Sequence, residues 1–138
     1  MLALNILRMS LFGAALVSAF SLSMPQSAEA RGEGGSIVGS WSGGGTVVYA
    51  SGQRERAHCR ASYSGGGSSV TMSGSCATPS GNVFQSARLR RVGENSYAGS
   101  FFNSQYNTSG SIYVSVHGNT QSVSLRSNAG SASLSLRR

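Results

Sequence analysis

Acid–base catalysis requires carboxylates or histidines that converge, and this sequence supplies few of either. Beyond residue 30 the carboxylates are Glu33, Glu55 and Glu94, and the histidines are His58 and His117. Paired-carboxylate hydrolysis needs two acids facing each other across the substrate, and only Glu55 lies in a clear strand pattern. A catalytic triad needs an acid that orients a histidine, and the chain has no G-x-S-x-G motif for the nucleophile. We therefore predict that the protein is not an enzyme and uses no cofactor.

The two cysteines, Cys59 and Cys76, could in principle bind a metal or form a disulfide. A single pair of well-separated cysteines and two distant histidines do not have the spacing of a tetrahedral zinc site, so we predict no metal. Pairing the cysteines across an antiparallel hairpin also pairs Tyr63 with Met72 and closes the turn within the glycine-rich segment 65–69. We therefore predict a disulfide that staples this hairpin, which stabilises the fold by roughly 3 kcal/mol in the chain-entropy model.

Alternation along the hairpin separates an apolar face from a basic face. Small and apolar side chains alternate with Arg54, Arg56, His58 and Arg60, so these basic residues are expected to point outward. Lysine and aspartate are absent, and the formal net charge is +7. Further arginines alternate on the next predicted strand but one, and stacking the two sets would form a cationic patch for polyanions. The predicted anion-binding residues are Arg54, Arg56, Arg60, Arg88 and Arg90.

Glu55 is the one acid whose position suggests a specific role. By alternation it shares the inward face of Ala57 and Cys59, where a buried carboxylate needs a cationic or hydrogen-bonding partner. It is interpreted as a buried structural acid or a strand-end acid still in water, with a ligand-reading carboxylate as the alternative. The candidate cationic partners are Arg88, Arg90, Arg91 and Arg126.

The N-terminal segment, 1–30, has the pattern of a secretory signal. Arg8 precedes an apolar stretch over positions 11–20, and an A-x-A cleavage site ends at Ala30. The apolar stretch is too short for a mature membrane-spanning helix, so no transmembrane segment is expected after cleavage. Export also agrees with an oxidised cysteine pair, and the predicted location is periplasmic or extracellular. The predicted organisation is a signal peptide (1–30), a flexible tail (31–35) and a single β-domain (36–138).

Short alternating segments separated by turn residues follow one another through the rest of the chain. The pattern predicts eight or nine antiparallel strands and no helix. The first two strands are predicted at Ile37–Ser42 and Thr46–Ser51, with Gly43–Gly45 as the turn between them. An open meander would leave edges and one apolar face in water, so we predict a small up-and-down β-barrel of about eight strands, with a β-sandwich as the alternative.

Trp41, in the sequence Gly39-Ser40-Trp41, is the only tryptophan. This G-x-W start resembles the first strand of lipocalins, avidins and small barrel inhibitors of proteases, and the resemblance implies that Trp41 packs into one end of the barrel. The stretches GSWSGGGTV, GQRERAHCRASY, CATPSG and GSFFNSQYNTSGSI resemble a family of small exported proteins of rhizobium-type alphaproteobacteria. That family has no assigned activity, so the resemblance implies only export and a single β-rich domain.

These observations favour a non-catalytic exported protein that binds an anionic envelope or extracellular component through its arginines. The expected partners are an anionic polysaccharide, lipid phosphates or an envelope protein, because the sequence contains no nucleic-acid-binding motif. The alternatives are a barrel-type protease inhibitor or small-ligand carrier, and a structural surface or matrix protein. A filled barrel interior would favour the arginine surface, whereas an apolar lumen open at one end would favour a ligand carrier. The oligomeric state is left open.

Overall fold

Eight antiparallel strands follow one another in a computed structural model that describes residues 36–138. They are β1 (Gly39–Tyr49), β2 (Arg54–Gly66), β3 (Ser69–Thr78), β4 (Gly81–Gly93), β5 (Ser96–Asn103), β6 (Thr108–His117), β7 (Thr120–Ser127) and β8 (Gly130–Arg137). Each strand pairs with the next and β8 pairs with β1, so the sheet closes into a barrel. The predicted all-β barrel is confirmed, and the sandwich alternative is wrong. The predicted signal peptide (1–30) and tail (31–35) lie outside the described residues.

The strands are staggered as well as paired. One row of directly paired residues starts at Gly39 on β1 and returns to β1 at Tyr49, ten residues further along the strand. The residues between them on this row are Tyr63, Met72, Ala87, Phe101, Gly110, Ser127 and Gly130. A closed sheet with this stagger has strands tilted by about 40° to the barrel axis. No helix long and apolar enough to cross a membrane occurs in the described part of the chain.

The predicted hairpin forms β2 and β3 in the predicted register. Cys59 lies directly opposite Cys76, and their sulfur atoms form a disulfide with a Cα–Cα distance of 4.0 Å. The strands turn at Gly67 and Ser68, where Gly67 has a positive φ of 65°. Glycine adopts this backbone conformation without strain. The predicted disulfide is therefore confirmed, and it lies on the inward face of the barrel wall.

The glycine run in β1 differs from its predicted role as a turn. Gly43, Gly44 and Gly45 continue a single strand, which reduces the nine predicted strands to eight. A Cβ at Gly43 would lie under 3.0 Å from the carbonyl oxygen of Ser135, and one at Gly45 would lie equally close to that of Ser133. The absence of side chains lets β1 approach β8 closely where the barrel closes, so the glycines are needed within the strand rather than at its end.

The barrel has one closed end and one open end, which we call the closed end and the mouth. The closed end contains the β2–β3, β4–β5 and β6–β7 connections and residues 36–38; the mouth contains the other four connections. The structure places Trp41 at the closed end, where its indole N–H donates to the carbonyl oxygen of Ile37 at 2.8 Å. The Arg138 guanidinium lies 4.4 Å from the centre of the Trp41 ring. Trp41 and Ile37 are both buried, and together they fill this end of the barrel.

Candidate functional site

The barrel interior contains a cavity of about 480 Å³. Its wall is made mainly of inward-facing apolar side chains, and the disulfide forms part of it. Representative residues of the wall are Val47, Met72, Val83, Phe101, Leu125, Ala132 and Leu134. A volume of this size lies within the usual range for small-molecule sites in proteins. The lumen is therefore the principal candidate for a functional site.

Exposure of the inward side chains shows which end of the lumen is open. On β3, Met72 is buried, whereas Cys76 and Thr78 are half-buried as the strand approaches the mouth. On β1, Trp41 is buried and Val47 is half-buried. Inward side chains gain exposure only if solvent reaches them from inside the barrel, so the cavity opens at the mouth.

Small inward residues explain why this interior is not filled. Ala61, Gly74 and Ala132 line the lumen, and none of them has a side chain larger than a methyl group. Protein interiors are close-packed, so missing side-chain volume on several strands leaves a void rather than a loose core. Alternation predicted an inward face of small and apolar side chains for this hairpin, but it did not identify the lumen. The sequence feature that could have indicated a lumen is the small total volume of the inward-facing side chains.

The loop between β5 and β6 borders the mouth and is held in place by hydrogen bonds. The Asn103 side-chain oxygen accepts hydrogen bonds from the backbone N–H groups of Gln105 and Tyr106, at 2.9 and 3.2 Å. The Gln105 side chain accepts from the Phe84 N–H at 2.8 Å and donates to the Asn82 carbonyl at 3.3 Å. These bonds hold the loop against β4, and Tyr106 borders the cavity although 62% of its surface is exposed.

Glu55 lies at the mouth, half-buried on the inward side of β2. It accepts hydrogen bonds from the hydroxyl of Ser80 and from that of Tyr49, the latter at 2.8 Å. These bonds, that of Ser80 first, hold the pKa of the Glu55 carboxyl below its usual value. The carboxylate in turn raises the pKa of the Tyr49 hydroxyl. The predicted inward acid thus has hydrogen-bonding partners, which are hydroxyl groups, rather than any of the four candidate arginines.

A second polar pair is buried toward the closed end. The Tyr63 hydroxyl donates to the side-chain oxygen of Gln121 at 2.7 Å. Burial raises the pKa of Tyr63 well above its usual value. Gln121 is only 1% exposed, and within residues 36–138 its side-chain nitrogen has no hydrogen-bond partner. Neither residue was singled out as polar from the sequence, because alternation predicts direction without predicting contacts across the lumen.

The predicted anion-binding arginines lie on the outer wall in two separate groups. Arg54, Arg56 and Arg60 are exposed on β2, and Arg88 and Arg90 are exposed on β4. The predicted stacking of the two groups side by side is wrong, as the strand registers show.

The register of β3 determines how far apart these arginines lie. Arg60 is opposite Ser75, which is opposite Phe84, whereas Arg88 is opposite Thr71, which is opposite Ser64. The row that contains Arg60 and the row that contains Arg88 are offset by four residues, or about 13 Å, along the strands. The two arginines are also about 10 Å apart across the wall, because β3 lies between β2 and β4. Arg60 and Arg88, the closest pair between the two groups, are therefore separated along the barrel wall by more than one Debye length at physiological salt.

No metal site is evident among the residues that the structure describes. They contain no group of three or more histidine, cysteine, aspartate or glutamate side chains that could hold a metal ion. Both cysteines are in the disulfide and cannot act as thiolate ligands.

Comparison with models of known protein families gives no match, and neither does comparison with curated protein sequences. Several solved structures of designed β-barrels are similar in fold. A redesigned barrel, mFAP1, described as bound to DFHBI, gives a TM-score of 0.62 at 8% identity over 74% of this chain and 94% of that one. A related barrel, mFAP0, also described as bound to DFHBI, gives 0.61 at 8% identity over 74% and 98% of the two chains.

A third similar structure is a fluorescence-activating β-barrel designed de novo. It gives a TM-score of 0.56 at 12% identity and covers 74% of this chain and 93% of that one. At such low identity these similarities establish the fold alone.

Proposed function

We propose that this protein is a carrier that binds a small, uncharged and largely apolar molecule in the barrel lumen. The observation that carries the proposal is the cavity of about 480 Å³, which is lined by apolar side chains and opens at one end. Two of the similar designed barrels are described as bound to DFHBI, which supports a ligand-binding role for this fold.

The cavity wall limits the chemistry of the ligand. At the packing density of protein interiors, about 0.74, a cavity of about 480 Å³ corresponds to a ligand with a van der Waals volume of roughly 350 Å³. The inward side chains that line the cavity carry no formal charge: the side chain of Arg60 lies on the outer face, and the inward Glu55 at the mouth is not part of the lining. An ionised group within this wall would be desolvated without a partner, so charged ligand groups are disfavoured there.

A polar end of the ligand would lie near the mouth. Gln85 and Tyr106 both border the cavity on that side, and both can form hydrogen bonds. Ligand sites commonly combine an apolar wall with a few polar groups that set orientation. We therefore expect an apolar ligand body with one or two uncharged hydrogen-bonding groups.

Titration with an uncharged, environment-sensitive dye such as N-phenylnaphthylamine tests the proposal. Ala132 lies between Val47 and Leu125 in the cavity wall, so Ala132→Phe fills part of the lumen. The matched control is Ala77→Phe, because Ala77 is exposed on the outer face of β3.

We expect saturable dye binding by the parent protein, at least tenfold weaker binding by Ala132→Phe and unchanged binding by Ala77→Phe. Circular dichroism verifies that both variants fold. A folded Ala132→Phe protein that binds the dye as well as the parent would contradict the lumen as the site.

Binding of a polyanion is a second candidate function. Its support is the exposed alternation of Arg54, Arg56 and Arg60 along one face of β2. This binding would weaken steeply as salt rises, whereas binding in an uncharged lumen would not. Retention on a heparin resin at low salt, lost in the triple arginine-to-glutamine variant, is the expected result; passage through the resin at low salt would eliminate this candidate.

A further inference from the structure

Two aromatic side chains are exposed on the outer wall near the mouth. Phe84 on β4 is 54% exposed and Phe102 on β5 is 45% exposed. Phe102 is paired with Ser86, so Phe84 is its diagonal neighbour across the two strands. Diagonal neighbours are about 7–8 Å apart, within reach of aromatic side chains, so the two rings form one patch. We call Phe84 and Phe102 the aromatic patch.

The aromatic patch lies beside the loop that borders the entrance to the lumen. The Phe84 N–H donates to the side chain of Gln105, and the next residue, Tyr106, borders the cavity. The β5–β6 loop thus connects the outer aromatic side chains to the entrance of the lumen, where Tyr106 lies.

The charges around the patch are positive. Arg60 lies on the same row as Phe84, two strands away across Ser75, and Arg88 is the diagonal neighbour of Phe102 on β4. Of the carboxylates in residues 36–138, Glu55 lies on the inward side and Glu94 lies in the β4–β5 connection at the closed end. No acidic side chain therefore lies on the outer face of any strand in the described barrel.

The size of the patch distinguishes between possible partners. Two half-exposed phenylalanines present at most about 200 Å² of surface, whereas a stable protein interface buries about 800 Å² on each partner. Shallow insertion of a few aromatic side chains beside basic residues is instead a common means of binding at anionic membrane surfaces.

We propose that the aromatic patch docks the mouth of the barrel on an anionic phospholipid bilayer. Phe84 and Phe102 insert at the level of the headgroups, and Arg60 and Arg88 contact lipid phosphates. This inference rests on the proposed carrier function, because docking lets an apolar ligand pass between the bilayer and the lumen without crossing water.

Co-sedimentation with vesicles tests the docking surface. The vesicles are phosphatidylcholine alone, or phosphatidylcholine with about 30% phosphatidylglycerol. The test variant is the double substitution Phe84→Ser and Phe102→Ser. The matched control is Val92→Ser with Tyr113→Ser, because these side chains are 57% and 47% exposed, nearly the same as the patch, but lie on other parts of the outer wall.

We expect the parent protein to bind the anionic vesicles and to lose that binding as salt rises. The patch variant should bind them roughly tenfold more weakly or worse, and the control should bind like the parent. The docking proposal would be overturned if the patch variant and the control bound anionic vesicles equally well. It would also be overturned if the parent protein bound neither type of vesicle.

Dye titration without vesicles separates this result from failure of the carrier function. The patch variant should still bind the uncharged dye, because its substitutions lie outside the lumen. Ala132→Phe should lose the dye and still bind anionic vesicles. Simultaneous loss of both activities in the folded patch variant would contradict a separate docking surface.

Discussion

The buried pair of Tyr63 and Gln121 allows a quantitative test of whether water reaches the lumen at the closed end. The Tyr63 hydroxyl donates to the Gln121 side-chain oxygen at 2.7 Å, and the amide nitrogen of this buried residue has no partner among residues 36–138. Among residues 36–138, the bond that Tyr63→Phe removes is the only hydrogen bond of the Gln121 side chain. Replacing both partners, with Tyr63→Phe and Gln121→Met, leaves an apolar contact of similar shape.

The expected free energies follow from the cost of unsatisfied polar groups. Leaving the Gln121 amide buried without its partner destabilises the fold by about 1–3 kcal/mol. For a domain of about 100 residues each kcal/mol corresponds to roughly 4–8 °C, so Tyr63→Phe should lower Tm by about 4–24 °C. Gln121→Met removes the unpartnered amide but leaves the Tyr63 hydroxyl without an acceptor, so its net effect should be small. The double variant should be at least as stable as the parent, which gives a coupling energy of about 1–3 kcal/mol.

Denaturant unfolding of all four proteins, followed by far-ultraviolet circular dichroism, measures this cycle. The parent and the double variant should have similar midpoints, with Tyr63→Phe clearly lower. A coupling energy below about 0.5 kcal/mol would refute the reasoning, because independent sites are additive within that margin. Such a result would mean that water reaches the amide and that the closed end of the lumen is wet.

Three further predictions concern other parts of the barrel. The Arg138 guanidinium lies over the ring of Trp41, the single tryptophan. Arg138→Ala should therefore destabilise the protein by about 0.5–2 kcal/mol and shift the tryptophan emission; unchanged emission and Tm would contradict this contact. Replacing the disulfide-bonded Cys59 and Cys76 by serine should cost roughly 3 kcal/mol, measured by denaturant unfolding under oxidising conditions, and an unchanged midpoint would contradict the stapling role. The lowered pKa of Glu55 means that its contribution to stability is present above its unfolded pKa and is lost as pH falls through the lower folded value. Glu55→Gln should therefore flatten the dependence of Tm on pH in the acid range, and a profile as steep as the parent's would contradict the role of its hydroxyl partners.

The hairpin shows how far local pattern can predict structure. Alternation, the cysteine positions and the glycine-rich turn agreed on one register, and the structure has that register. Each of these signals acts between residues that are neighbours in sequence or are joined by one short turn. For the same reason the inward direction of Tyr63 and the outward direction of Arg60 were predictable.

Predictions that needed information from several strands were less successful. Gly43–Gly45 has the composition of a turn, and only the approach of β8 shows why a strand requires glycine there. Phe101 is buried and its neighbour Phe102 is exposed, but the position of Phe102 beside Phe84 depends on the register between β4 and β5. These features arise between segments whose relative position no local signal specifies.

The amino-acid sequence by itself determined the strand type, the stapled hairpin and which side chains face inward, because alternation and turn chemistry act over a few residues. Only the tertiary structure decided that the arginines of β2 and β4 are separated, since that follows from the registers on both sides of β3. The open lumen likewise depends on the tertiary structure. Its volume depends on how eight staggered strands are tilted and on the combined size of all their inward side chains, and no single segment contains that information.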